Sequence, residues 1–139
     1  MAIVSAICNS FKQEILVEGH NFTNGTDAFK LALFTSSATL SKSTTAYTAP
    51  ADGTATPTNT HEVSSTSTGY TTGGNALTST TPVLSGDTAC CKFADTSFTS
   101  ASFTARGCLI YNSTNANKAV CAINFGADKT VTSGTFTIQ

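Results

Sequence analysis

Two apolar runs around a short polar loop constrain this chain more than anything else in it. Phe103–Asn112 reads Phe-Thr-Ala-Arg-Gly-Cys-Leu-Ile-Tyr-Asn, and 118–126 reads Lys-Ala-Val-Cys-Ala-Ile-Asn-Phe-Gly. The loop between them, Ser-Thr-Asn-Ala-Asn, is made of small turn-forming residues, so the whole stretch predicts a β-hairpin. Pairing Asn112 with Lys118 sets Tyr111 opposite Ala119, Leu109 opposite Cys121, Gly107 opposite Ile123 and Ala105 opposite Phe125. Successive side chains alternate faces, so these residues and Phe103 form one apolar face. The other face carries Thr104, Arg106, Cys108, Ile110 and Asn112 against Lys118, Val120, Ala122 and Asn124. That face is mixed and is expected to meet water or a partner. A one-residue slip of register would bury the wrong side of one strand.

Ahead of the hairpin, residues 10–18 form the one substantial helical pattern. Ser10 and Gln13 have the spacing of a capping box, Phe11 and Ile15 share a face, and Gly19 follows the end. A helix this short needs a sheet to pack on. Asn24-Gly25 is a turn. Residues 27–35 then form a strand with Phe29, Leu31 and Leu33 on one face and Lys30, Ala32 and Phe34 on the other. Residues 36–60 are rich in Ser, Thr, Ala and Pro. This long loop is either a functional excursion or a flexible surface segment.

Further strands are expected at 62–68, as an edge, and at 76–80. Another begins at Pro82–Leu84 and ends at the Gly86-Asp87 turn. In the strand at 88–94, Ala89, Cys91 and Phe93 point inward and Cys90 and Lys92 outward. A Ser/Thr connection between Phe98 and Phe103 leads into the hairpin. Beyond it, Asp128-Lys129 turns the chain toward Val131, and a last strand carries Phe136 and Ile138. Short strands at this spacing predict a single domain over 1–139, mainly β: an antiparallel β-sandwich, jelly-roll-like, with one short N-terminal α-helix.

Charge narrows the function. Charged residues are 11% of the 139, the formal net charge is -1, and the seven Lys and Arg are scattered. Nucleic-acid binding wants a basic patch or stripe, so no nucleic-acid partner is expected. No apolar stretch is long enough for a membrane-spanning helix, and the apolar N-terminus lacks the basic n-region and full h-region of a signal peptide. Ser and Thr supply roughly a third of the residues, far above ordinary usage, which suits pleated surfaces and turns. Asn-x-Thr sequons fall at Asn21, Asn24 and Asn112 and matter only on a eukaryotic secretory route.

Catalytic constellations are sparse. His20 sits at the helix end, where a cation is favourable. His61 beside Glu62 is a weak acid–base or metal pair, more often simply solvated. No Gly-x-Ser-x-Gly elbow, phosphate loop, calcium loop or zinc-ligand spacing occurs. The Asp residues fall at turns, where Asp is expected anyway. No paired carboxylates fall in a plausible cleft pattern for glycan hydrolysis. The sequence therefore reads as non-enzymatic and without cofactor or metal. Five cysteines, an odd number, leave at least one free or shared between chains. Alternation assigns Cys90 and Cys108 to outward faces and Cys8 to an arm ahead of the helix. These three are the candidates for inter-chain disulfides, while Cys91 and Cys121 point to the core. An adjacent Cys90–Cys91 bond would be strained. Phe34, Ile110 and Val120 fall opposite the core side and are the candidate subunit contacts in an oligomer.

Several stretches together carry a resemblance. They are Asn-Ser-Phe-Lys-Gln-Glu from Asn9, Phe-Lys-Leu-Ala-Leu-Phe-Thr-Ser-Ser-Ala-Thr-Leu from Phe29, Thr-Ala-Arg-Gly-Cys-Leu-Ile-Tyr-Asn from Thr104, the run from Lys118 to Gly126, and the closing Gly-Thr-Phe-Thr-Ile-Gln. The chain resembles small structural virion proteins of tailed bacteriophages, over nearly its whole length and through packing motifs. The resemblance implies a capsid decoration (cement) protein: a homotrimer on the capsid exterior, bound to the major capsid protein, made in the host cytoplasm. Cys108 and Cys121 stand where such proteins would carry Ala or another small apolar residue. The alternative is a tail, baseplate or fibre component touching the host surface, with the long loop at 36–60 and Tyr47 or Tyr70 as a carbohydrate-binding rim.

Overall fold

The computed structural model describes residues 1–139. Its elements in chain order are strand β1 (Ala6–Ile7), helix α1 (Asn9–Glu14) with a 3₁₀ turn (Ile15–Val17), and strands β2 (Phe29–Phe34), β3 (Asn75–Leu77), β4 (Ser79–Ser85), β5 (Thr88–Phe93), β6 (Thr96–Asn112) and β7 (Lys118–Ile138). One sheet has the order β1-β7-β6-β2-β3, and β4-β5 form a second, two-stranded sheet. Every pairing between these strands is antiparallel. The chain is thus mainly β, with one short N-terminal helix, as the alternation and turn spacing predict.

The hairpin closes where the sequence puts it, with Asn112 on Lys118 and Tyr111 on Ala119. The register then shifts. Ile110 pairs with Cys121, Leu109 with Ala122, Cys108 with Ile123 and Gly107 with Asn124. Val120 is an extra residue in β7, a bulge that turns both Val120 and Cys121 to the same side. The expected pairs Leu109–Cys121, Gly107–Ile123 and Ala105–Phe125 are therefore replaced. An alternation rule has no means of counting a bulged residue.

The larger difference concerns the face expected to meet water. The central strands are buried on both sides. One cluster holds Phe29, Leu31, Leu33, Cys108, Ile110 and Val120. The other holds Ala32, Phe34, Leu109, Tyr111, Ala119 and Ala122, on the opposite side of the same strands. Ile3, Cys8, Ala38, Leu40 and Tyr47 cover that second side. The long loop is therefore the sheet's second lid. Backbone bridges Ile3–Leu40 and Ala46–Lys118 hold it down. A strand covered on both faces reads as a near-continuous apolar run, and Phe29–Phe34 is one.

Further boundaries move for tertiary reasons. Helix α1 begins at Asn9, with Cys8 in the extended N-cap position and no side-chain cap. Ser10 Oγ is buried without a partner, so the Ser10/Gln13 box does not form. Cys8 is fixed instead by its amide, which donates to the Val120 carbonyl (3.0 Å) as β1 pairs with β7. At the other end Glu18 takes the left-handed conformation, and the Gly19 amide closes on the Glu14 carbonyl at 2.7 Å. Phe11 packs on both clusters, whereas Ile15 is exposed. Residues 62–68 do not form a strand: a single bridge joins Glu62 to Phe34.

The expected connection at 98–103 and the turn at 128–129 both lie inside strands. β6 and β7 form one continuous ribbon of 17 and 21 residues. Straight, its longer strand would span about 70 Å. It bends instead, at register shifts near Ala101 and Ala105 and at positive-φ residues Ser100, Gly126 and Ser133. Its far end returns over the sheet in a sandwich-like arrangement. The Phe98 ring reaches Tyr70 at 5.5 Å, and Ile138 lines the same cleft as Leu31 and Ile110.

Candidate interaction surface

Two buried polar knots fix the body. The first centres on Glu62, whose side chain is fully buried. Its carboxylate accepts from Tyr47 Oη (2.9 Å), Tyr70 Oη (2.6 Å) and the Gly73 amide (2.8 Å). Tyr70 Oη accepts in turn from the Leu33 amide, and Tyr111 Oη donates to the Gly73 carbonyl at 2.8 Å. All three tyrosines of the chain thus meet at one carboxylate or the glycine beside it. Burial first, and the Glu62 charge second, push all three phenols above their usual range. Gly74 closes the knot. It has φ +75°, and a Cβ there would collide with the Leu31 carbonyl, so only glycine lets the loop lie this close to β2. His61, the neighbour of Glu62 in sequence, takes a different course. Its Nδ1 meets the Pro57 carbonyl at 3.0 Å while Glu62 points into the tyrosines. The two do not form an acid–base pair.

The second knot joins α1 to the hairpin loop. Asn112 is fully buried, and its Oδ1 accepts from the amides of Thr114 (3.1 Å) and Asn115 (3.2 Å). Its Nδ2 therefore donates to Asp27 Oδ2 (2.7 Å) and His20 Nδ1 (3.2 Å). His20 Nδ1 being the acceptor, the ring proton sits on Nε2 and is donated to Glu14 Oε2 at 2.8 Å. Both ring nitrogens are used. His20 and Asp27 border an open polar hollow of about 600 Å³, but the histidine has no lone pair left to act as a base there. Asn112 likewise has no free amide for a glycan. Residues 20, 27 and 112 are too far apart in sequence for any local motif to have joined them.

The candidate contact residues do not lie on the surface. Phe34, Ile110 and Val120 are buried within the single chain, the first in one cluster and the other two in the opposite one. None of them is presented to a second subunit. Of the candidate disulfide residues, Cys8 and Cys108 are fully buried and Cys90 is exposed. Cys8 is held under the long loop, its thiol facing the Ser41 carbonyl. Cys108 faces the first cluster because that face is interior. Burial raises both thiols, aided by Glu14 at Cys8 and by Cys121 at Cys108. Cys121 is half-buried and pushed up to about 11, mainly by burial. Cys91, expected inside, is exposed. Tyr47 and Tyr70 are buried, which removes them as a carbohydrate rim.

What the chain does present is the β4–β5 hairpin. Every residue from Thr80 to Lys92 is exposed. Ser85 pairs with Thr88 across a two-residue connection, with Gly86 at φ +61° in the first central position, as a type II′ turn prefers. Val83 is 61% exposed and Leu84 76%. By pairing and alternation, Leu84, Ala89 and Cys91 share a face that runs down to Phe93 at the base. Phe93 sits 5.4 Å from Phe29 and 6.1 Å from Phe22, so that face starts in the core and continues into solvent. Val83 and Cys90 lie on the other face. The sequence marks this hairpin by its turn, but alternation assumes that one face of it is covered, and neither is. A second exposed apolar patch lies at Ile15, Leu16 and Val17 after the helix.

No helix is long and apolar enough to cross a membrane. No protein-family model matches the chain, and no curated protein or solved structure matches it either.

Proposed function

We propose that this chain is a structural virion protein, a capsid decoration (cement) protein that binds a major-capsid lattice from outside and stabilises it. The observation that carries this reading is the β4–β5 arm. A body stapled by two buried polar knots holds out a fully exposed hairpin tipped by Val83 and Leu84. Exposed apolar residues on a projecting element suit protein–protein contact. The resemblance of the packing motifs to those of small tailed-phage proteins suggests the setting, a shell built from many protein subunits.

Inter-chain disulfides remain part of the proposal with changed residues. Cys90 stays a candidate and Cys91 joins it, because both thiols are exposed on the arm. Cys8 and Cys108 leave it. In the reducing cytosol the thiols stay free, and after lysis two thiols on neighbouring chains can pair. The S–S bond then forms as two S–H bonds break, and dioxygen takes up the two electrons and two protons as peroxide.

The test is the amount of this chain in purified particles relative to the major shell protein. Copies in fixed proportion to the shell subunit support decoration. A few copies per particle would move the protein to the tail or baseplate. Absence from the particle overturns both readings.

A further inference from the structure

We propose that the β4–β5 arm is a self-association element: Leu84 of one copy enters an apolar cleft at the arm base of a second copy of this chain. The contact is between copies and holds whether or not the capsid reading does. The cleft has a volume of about 170 Å³ and is lined by Leu31, Leu77, Phe93, Ile110, Ile123 and Ile138. For scale, an apolar cavity of about 150 Å³ accepts a benzene molecule, so this cleft suits a leucine side chain. It lies open between the base of the arm and the returning end of the ribbon.

Three features point to a second copy as the occupant. First, knob and cleft match in size and in apolar character, and both belong to this chain. Second, the arm cannot fill its own cleft. Leu84 pairs with Ala89, four positions from Phe93 at the base, and the extended hairpin carries it roughly 13 Å away. Third, the arm is unfinished as a fold. An isolated two-stranded hairpin is marginal in water, and both edges of this one are unpaired. Seating Leu84 on a neighbour covers the apolar face that Leu84, Ala89 and Cys91 continue from Phe93. Asp87 and Lys92 are the arm's charged residues, and with opposite signs they give it no net attraction for a polyanion. A knob-into-cleft contact of this kind is heterologous and closes into a ring when the rotation between copies divides the circle.

The experiment is sedimentation velocity over a concentration series, on the full chain and two variants. Leu84→Asp disables the knob at a site that is 76% exposed. Ala94→Phe fills the cleft, since Ala94 lines it and is itself exposed. The wild-type chain should associate as concentration rises. Leu84→Asp should weaken association by about thirtyfold or more, the effect of losing a central apolar anchor. Circular dichroism should show it folded. Ala94→Phe should be similarly defective alone. Mixed with Leu84→Asp it should form a heterodimer, because one variant keeps the arm and the other keeps the cleft. A wild-type chain that stays monomeric throughout overturns the proposal. So does a Leu84→Asp chain that associates like wild type, or a mixture that yields no heterodimer.

Discussion

The Glu62 knot and the β4–β5 arm are both made from Thr-rich, weakly charged sequence, and they end in opposite conditions. Around Glu62 every donor has an acceptor, and apolar clusters close over both sides of the sheet. Along the arm the two-strand ladder and one bond near its base, from the Asn24 amide to Thr81 Oγ1 (3.4 Å), order the chain, and every residue from Thr80 to Lys92 is exposed. The free energy of this fold therefore resides more in buried long-range contacts than in regular hydrogen bonding. The long loop, which has no regular strand, is the better anchored of the two regions. It hangs on long-range bonds to a buried carboxylate. The arm has regular hydrogen bonding and almost no burial. Regular secondary structure and local stability are separate properties here.

Thiol chemistry should separate the two regions most strongly. Cys90 and Cys91 should react with an aromatic disulfide reagent at the rate of a free thiol in the native protein. Cys8 and Cys108, fully buried, should react only through large opening of the fold, slower by a factor of about a thousand or more. Rapid labelling of Cys108 would mean that the ribbon opens easily and that the contrast is false.

Core truncation gives the next largest effect. Phe29 is fully buried, stacked on Phe22 at 4.5 Å and close to Phe93. Phe29→Ala should lower stability by about 3–5 kcal/mol in urea unfolding, from lost burial and the cavity left behind. A loss below ~1 kcal/mol would show that the first cluster is not a cooperative core.

The knot itself makes stability fall in alkali. Its three tyrosines have phenols raised above the unfolded value of 10.0, and Cys121 is raised from 9.0 to about 11. In each case the folded state keeps a proton that the unfolded chain gives up. The stabilisation is therefore complete below pH 9.0 and declines as pH rises through 9.0 and 10.0. Glu62→Gln should cost about 1.5–3 kcal/mol at neutral pH, because two phenols and an amide lose a charged acceptor. It should also soften the alkaline loss without abolishing it, since burial is the larger cause at every tyrosine. Urea midpoints measured across this pH range check both effects. A midpoint independent of pH from neutrality to 10.0 and beyond would contradict the buried phenols.

The sequence made the β class, the hairpin closure at Asn112 and Lys118, the strand from Phe29 and the Gly86-Asp87 turn legible, because local chemistry decides each of them. It did not show that the sheet is covered on both sides. The covering residues, Ile3, Leu40 and Tyr47, lie in segments with no period of their own. Alternation therefore points Phe34, Ile110 and Val120 outward, whereas they are core. The Val120 bulge and the Ser100 and Ser133 bends were equally hidden, since a Ser or Val at an irregular position looks like any other. Glu62 looked like half of a weak site with His61. Its true partners are 15 and 8 residues away, at Tyr47 and Tyr70, and only tertiary structure joins them. The exposed hairpin is the reverse case. Val83 and Leu84 carry strand-like sequence, and strand-like sequence does not announce that a hairpin leaves the body.

Substitution on the exposed arm should barely change stability. Leu84→Ser, studied at concentrations where the chain is monomeric, removes a side chain that touches little in the folded molecule. Its effect on urea unfolding should lie within about 0.5 kcal/mol, as for other surface substitutions away from caps, cores and networks. The near-zero value is informative because leucine in the core would behave so differently: Leu33→Ala or Leu109→Ala, at fully buried positions, should each cost about 2–5 kcal/mol. Serine keeps the strand geometry and adds no charge, so no new repulsion confuses the result. A loss near the core value in monomeric protein would show that Leu84 is covered in solution by its own chain. The arm would then be folded down onto the body, and the contrast between the stapled loop and the free hairpin would fail.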